Sequence, residues 1–227
     1  MKDRSFTRLA GAFAIVVGIA KLLSVAFYSV MPADQRLAVP AARILPSVAE
    51  GAPFLFGLFW MEALVGVLGL AVVPALSEQV RRPDEGWLRW LGTLAVAGLA
   101  VSAVGYLQTI ARMPGIARAY VAGDASTQAA LTAVWKSSTD LLGFWGYGAV
   151  GLWVLLVSGR MVRGEGFPKP LGYLGILTAI TGLLIPLAVG LKVQTLITLI
   201  VSVGGLAGAV WFLWVGLVLR RSGAPAP

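Results

Sequence analysis

Two charged side chains lie deep within apolar stretches of the sequence, where ionisable groups usually mark function. Lys21 comes nine residues before the end of the apolar stretch 9–30, and Glu62 comes nine residues after the start of the stretch 53–76. If these stretches are antiparallel helices in a membrane, each charge lies about 13 Å from the same surface. Opposite charges at matched depth offset most of the cost of burying either one alone. The spacing therefore predicts an ion pair between Lys21 and Glu62.

Further polar residues fall at similar depth or nearer the same surface. Lys136 and Asp140 are one helical turn apart and can pair on their own helix, and Tyr147 shares their face. These groups predict a polar pocket that opens to the outer side and is lined by Lys21, Ser24, Glu62, Gln108, Asp140 and Thr198. The alternative is structural, because two compensated pairs would lock helices together while the hydroxyl groups bond to backbone carbonyl oxygens.

The absence of histidine and cysteine removes most metal and nucleophile chemistry. No imidazole or thiolate is present to ligate haem, copper, zinc or an iron–sulfur cluster, and Ser–His and Cys–His catalytic arrangements are impossible. We therefore expect no metal, no cofactor and no catalytic residue. An enzyme would have to work with carboxylates, Lys, Tyr or Ser alone, and Glu62 or Asp140 would be the candidate residue.

The composition is that of a membrane protein. Hydrophobic residues make up 58% of the 227 residues and charged residues only 12%, which is about half the charged share of a soluble domain. A helix needs about 20 apolar residues to cross the hydrocarbon core. The sequence predicts an all-α bundle of six transmembrane helices that forms a single polytopic membrane domain over 1–227. The predicted spans are 9–30, 53–76, 88–111, 135–158, 171–191 and 195–219.

The distribution of lysine and arginine predicts the orientation. Eleven of these residues fall on the side shared by both termini and six on the opposite side, while Lys21 lies within a span. The positive-inside rule then places both termini in the cytoplasm, and we expect a multi-pass protein of the bacterial cytoplasmic (inner) membrane. The same rule accounts for most of the net charge of +8, so we expect no nucleic-acid partner.

The bilayer is the first expected partner, and two glycines of the last span suggest others. Gly204 and Gly208 form a small-xxx-small motif, which permits close approach of two helices. Packing inside the bundle is the favoured use, because such motifs arise often among 28 glycines. A homo-oligomer through Gly204 and Gly208, or an unrelated membrane-protein partner, is the alternative.

Two stretches resemble a bacterial family of six-helix membrane proteins classed as a domain of unknown function. The first is the run 7–11, Thr-Arg-Leu-Ala-Gly, and the second extends from Asp140-Leu141 to the turn with Pro168 and Pro170 and the run 171–176. The family often has an arginine before this aspartate, and here the residue is Thr139, so an Arg–Asp pair is not carried over. The resemblance implies six helices and an uncleaved first helix, and it implies no reaction.

Three classes of function are compatible with these patterns. The first, which the sequence favours slightly, is a structural or accessory membrane protein whose buried charge pairs fix the fold or a partner interface. The second is a transporter of small solutes or ions, or a ligand sensor, that uses the outward-facing pocket. The third is an enzyme that uses Glu62 or Asp140, and it is the least favoured because intramembrane charge alone identifies no reaction.

Overall fold

The computed structural model describes residues 4–36, 39–80, 86–136, 143–164 and 166–222, and within these ranges it is helical with no strand. Long apolar segments favour helices, since a helix satisfies every backbone polar group within the segment. The helices are α1 (Arg4–Val30), α2 (Ala41–Ala49), α3 (Pro53–Val80), α4 (Gly86–Ala122), α5 (Ala125–Lys136), α6 (Val150–Arg163), α7 (Lys169–Gly190) and α8 (Gln194–Ser222). A π-helical segment, Phe144–Ala149, leads directly into α6.

Six helices of the described chain are long and apolar enough to cross a membrane, which confirms the predicted fold class. They are Arg4–Val30, Pro53–Val80, Gly86–Ala122, Phe144–Arg163, Lys169–Gly190 and Thr195–Arg221. Large apolar side chains such as Leu177, Leu199 and Leu206 are exposed on their outer faces. Such faces are suited to lipid, so the chain is a multi-pass membrane protein.

The six spanning helices form a closed ring that follows the order of the chain. Helix α1 packs against α3 and α8, α4 packs against α3 and α6, and α7 packs against α6 and α8. Glycine permits a close approach of two helices where α8 closes the ring against α1. A Cβ on Gly216 would lie 2.6 Å from the carbonyl oxygen of Gly11, and one on Gly18 would lie 2.8 Å from that of Ala209. The two backbones therefore touch directly, as small residues allow in membrane helix pairs.

The third span is longer than predicted. Helix α4 has 37 residues and continues through Pro114 to Ala122, and α5 follows, so most of the interval between the predicted spans 88–111 and 135–158 is helical. At 1.5 Å per residue α4 is about 55 Å long, well beyond a hydrocarbon core of about 30 Å. Its last turns bury Met113, Ala117 and Tyr120 against α2, whose Ile44 and Leu45 lie in the same apolar cluster. This packing stabilises a helix that apolar composition alone would have ended earlier.

The fourth span begins later than predicted. The prediction of 135–158 was wrong at its start, because the spanning helix covers Phe144–Arg163 and Trp135 belongs to the separate helix α5. Gly143, which precedes the π-helical segment, has φ +68°, a left-handed conformation that favours glycine and interrupts a regular helix. A regular helix therefore does not continue through Gly143 into the span.

The N-terminus of α5 is capped by Asp124. Its Oδ1 accepts a hydrogen bond from the backbone N–H of Thr127 at 2.8 Å and another from Ser126 Oγ at 2.9 Å. These bonds, the one from the Thr127 backbone first, lower the pKa of the Asp124 carboxyl from 3.8 to about 2. Aspartate is among the residues most strongly preferred at a helix N-cap, and Asp124 fills that role for α5.

Removing this cap should loosen the start of α5. A carboxyl with a lowered pKa stabilises the folded state fully above its unfolded value of 3.8, and this stabilisation is lost as the pH falls through about 2. In Asp124→Ala we expect faster amide hydrogen exchange at Thr127 and Gln128 at pH 7, measured by mass spectrometry. Asp124→Asn is the matched control, because an asparagine still caps. Equal exchange in the native chain and Asp124→Ala would show that the cap has no stabilising role.

Gly204 and Gly208 pack inside the ring. A Cβ on Gly204 would collide with Thr181 of α7, at 2.7 Å from its Cβ, and one on Gly208 would lie 3.3 Å from Thr178 Cγ2. Both glycines are thus covered by α7 of the same chain. This packing inside one chain is the use that the sequence favoured, and a homo-oligomer through Gly204 and Gly208 stays a sequence prediction.

Candidate functional site

A cavity of about 140 Å³ lies along the centre of the ring, and every one of the six spanning helices contributes to its wall. Most of the wall is apolar. On α3 the lining runs from Leu58 to Val73, which is about 22 Å along the axis at 1.5 Å per residue. The polar lining includes Lys21, Ser24, Glu62, Ser102, Tyr106 and Tyr147. A long apolar space with a few convergent polar groups is typical of a small-molecule site.

Lys21 and Glu62 form an ion pair on the wall of this cavity. Lys21 Nζ donates to Glu62 Oε2 at 2.6 Å, and the two side chains are 17% and 8% exposed. The pair joins neighbouring helices α1 and α3 at the matched depth that the sequence indicated. Each charge is costly to bury alone, so the attraction at this short distance offsets the loss of water.

Two tyrosines extend the pair across the ring. Tyr147 OH donates to Glu62 Oε2 at 3.5 Å, and the Tyr147 ring centroid lies 5.3 Å from Lys21 Nζ, within cation–π range. Tyr106 OH on α4 lies 3.3 Å from Tyr147 OH. The network therefore connects α1, α3, α4 and the π-helical segment through polar side chains. A carboxylate with a nearby ammonium and phenols can hold one polar group of a ligand by several hydrogen bonds.

The π-helical segment is what brings Tyr147 to the pair. It begins after Gly143 in its left-handed conformation, and its backbone lies directly against α4. At Gly98 of α4 there is no room for a side chain, because a Cβ would overlap the carbonyl oxygen of Trp145. Insertions of π-helix are rare and often occur at functional sites.

The other residues on α1 and α8 that the sequence proposed are close to the network. Ser24 lines the cavity, is 5% exposed, and its Oγ has no hydrogen-bond partner among the described residues. Thr198 does not line the cavity itself. Its Oγ1 lies 3.4 Å from the hydroxyl of Tyr28, which does line it. Thr198 therefore contributes by holding Tyr28.

Gln108 is not part of the site. Its side chain is exposed, and the residue is not in the cavity wall. Gln108 follows Tyr106 by two residues, and two residues rotate an α-helix by about 200°, so the two side chains point to opposite sides of α4. The prediction of Gln108 as a lining residue was therefore wrong.

The predicted pair of Lys136 and Asp140 lies outside what the structure describes. Asp140 falls within 137–142, between the described ranges, and the side chain of Lys136 is likewise not described. Both residues therefore stay sequence predictions. No cluster of acidic side chains that could hold a metal ion occurs in the described parts of the chain.

Sequence reasoning missed several residues that line the cavity. Ser102 and Tyr106 are one turn apart on α4, and Thr178 and Thr181 are three residues apart on α7. Both threonine hydroxyls donate to carbonyl oxygens of their own helix, Thr178 to Leu174 at 3.0 Å and Thr181 to Leu177 at 3.1 Å. Ser102 and Tyr106 therefore add hydroxyl groups to the cavity wall, whereas the two threonine hydroxyls already donate hydrogen bonds within their own helix.

Comparison with known proteins identifies one family. Its match extends over residues 9–216, which includes Lys21, Glu62, Tyr106 and Tyr147. Neither curated proteins nor solved structures give a match to this chain. The resemblance indicated by the opening run and the central hairpin is confirmed. The chain belongs to the family described as a domain of unknown function (DUF4386).

Proposed function

We propose that this membrane protein binds a small ligand in the central cavity, with the Lys21–Glu62 pair as its polar anchor. The observation that carries the proposal is the position of the pair on the wall of an open space of about 140 Å³. Protein interiors leave few voids larger than one water molecule. A pair that served only to lock two helices would need no such space. The binding site would serve a transporter or a ligand sensor.

The structural role is the second candidate, and one observation favours it. The 2.6 Å contact joins α1 and α3, which are direct neighbours in the ring, so it would also hold these helices in register. The two roles differ in what they require of the cavity. A lock functions with the cavity closed to solutes, whereas a ligand site needs the space to be reached from outside.

The proposal extends to the location of the protein and to its organisation as one domain. The excess of lysine and arginine on the side of the termini supports a cytoplasmic position for both, and hence an inner-membrane protein of bacteria. A ring in which every spanning helix lines one cavity supports a single polytopic domain. The polar lining, which includes Tyr28 and Tyr106, lies in the middle and outer part of the bundle. This distribution supports entry of the ligand from the outer side.

Thiol labelling tests whether the cavity admits solutes. The chain has no cysteine, so Ser102→Cys places a unique thiol in the wall. Val104→Cys is the matched control, because Val104 is 52% exposed on the outer face of the same helix. Its depth differs by about 3 Å. In lipid nanodiscs even a small uncharged methanethiosulfonate needs a hydrated thiolate, so we expect the thiol at 102 to react at least about tenfold faster than the thiol at 104.

Equal protection of both thiols would contradict ligand binding and leave the structural role. Denaturing the labelled samples in detergent and titrating the remaining thiols shows that both variants were intact and reactive once exposed.

A further inference from the structure

The charge of the cavity restricts what can occupy it. Among the described residues of the wall, Lys21 and Glu62 carry the only full charges, and they cancel each other. A charged guest would either leave an unpaired charge in an apolar space or require a proton to be gained or lost by the pair. Burying an uncompensated charge is far more costly than burying a neutral group that is hydrogen-bonded. The balance favours an uncharged guest.

The hydrogen-bonding capacity left in the wall indicates the kind of head group. Lys21 has three N–H donors, and one of them is used in the bond to Glu62 Oε2. Glu62 Oε1 accepts no hydrogen bond from the described residues, and the Ser24 hydroxyl has no partner among them. Ser24 follows Lys21 by three residues and lies on the same face of α1. The unused groups include both hydrogen-bond donors and hydrogen-bond acceptors. They therefore suit a head group that can both donate and accept hydrogen bonds.

The rest of the space suits a hydrocarbon chain. From Glu62 toward the inner surface, the wall on α3 continues to Val73, a distance of about 16 Å. Apolar side chains line this inner part, among them Val65, Val72, Leu99, Val154 and Phe212. Burying a chain there removes apolar surface from water, which is worth about 0.8 kcal/mol per methylene group.

We propose that the ligand is an uncharged, single-chain amphiphile with a hydroxyl head, which bonds to Ser24, Lys21 and Glu62 while its hydrocarbon tail occupies the inner half of the cavity. This inference rests on the proposed function, since it assigns a ligand class to the same site. It requires no change in the protonation of the pair and no covalent step.

Four probes with the same chain and different heads test the class: decanol, decane, decanoate and decylammonium. The protein is held in nanodiscs at pH 7, and thermal unfolding midpoints are followed as each probe is titrated, with concentrations expressed as mole fraction in the bilayer. We expect decanol to raise the midpoint with a saturable dependence, and the other probes to bind at least about fivefold more weakly. In Ser24→Ala the affinity for decanol should fall about five- to tenfold, because one hydrogen bond is lost.

Ser29→Ala is the control variant, because Ser29 is exposed on the same helix and its hydroxyl donates to the Val25 carbonyl oxygen. It should bind decanol like the native chain. Equal stabilisation by decane and decanol would overturn the hydroxyl head but retain the cavity as a ligand site. Stronger binding of decanoate or decylammonium would overturn the charge argument in the same way. No saturable effect of any probe would overturn both this inference and the proposed function.

Discussion

Replacing Glu62 by leucine is expected to reduce the free energy of unfolding by about 3–5 kcal/mol, because the change leaves Lys21 as an unpaired charge among apolar side chains. Lys21 has the Glu62 carboxylate 2.6 Å away and only 17% of its side chain exposed, and no second carboxylate is present in the described cavity wall to replace the lost partner. The reverse change, Lys21→Met, should cost a similar amount. Unfolding is measured in mixed micelles from the loss of helical circular dichroism as the fraction of denaturing detergent rises.

The double variant separates the charge from the packing. Lys21→Met combined with Glu62→Leu removes both charges, so we expect it to regain most of the stability that either single change loses. If the ligand is the proposed hydroxyl amphiphile, the double variant should still fail to bind decanol, because the polar anchor is gone. Additive losses in the double variant would show that the two side chains are not coupled. The exchange of Lys21→Glu with Glu62→Lys gives a further check, since a restored pair should fold.

Gly98→Ala is expected to be the second most damaging change, with a loss of about 1–3 kcal/mol from overpacking. The new Cβ would overlap the carbonyl oxygen of Trp145 and lie 3.2 Å from the Cβ of Ala149. Backbone atoms cannot rotate away as a flexible side chain can. The π-helical segment would have to move off α4 and carry Tyr147 away from Glu62. The same detergent titration measures the loss, and weaker decanol binding would report the displaced tyrosine.

Gly105→Ala is the matched control for this change. Gly105 lies seven residues further along α4, and a Cβ there would have no neighbour within 4 Å. Alanine is the better helix former, so the control should be neutral or stabilising by up to about 1 kcal/mol. If Gly98→Ala is as stable as Gly105→Ala, the contact between α4 and the π-helical segment is looser than described.

The sequence predicted the number and type of the spanning helices because their signal is local. About 20 consecutive apolar residues identify a span whatever its neighbours are. The extension of α4 to Ala122 depends instead on Met113 and Ala117 packing against α2, which is a tertiary contact between distant segments. The late start of the fourth span depends on the left-handed Gly143, one of 28 glycines that look alike in the sequence.

The site could be predicted only in part, for similar reasons. Charges in apolar segments are rare, so Lys21 and Glu62 stood out and their depths could be matched from residue counts. Tyr106 gave no such signal, because tyrosines are common in membrane helices and its role depends on Tyr147 of another helix at 3.3 Å. Gln108 was misplaced because polarity alone does not say which side of α4 a residue occupies.

A crystal structure grown from a lipid mesophase tests the central claim most directly, since it shows both the pair and the space beside it. We predict Lys21 Nζ and Glu62 Oε2 within hydrogen-bonding distance at mid-depth, an open cavity along the axis of the ring, and non-protein density next to Ser24. Lys21 extended toward the membrane surface, or a cavity closed by the side chains of Val65, Leu99 and Phe212, would contradict it.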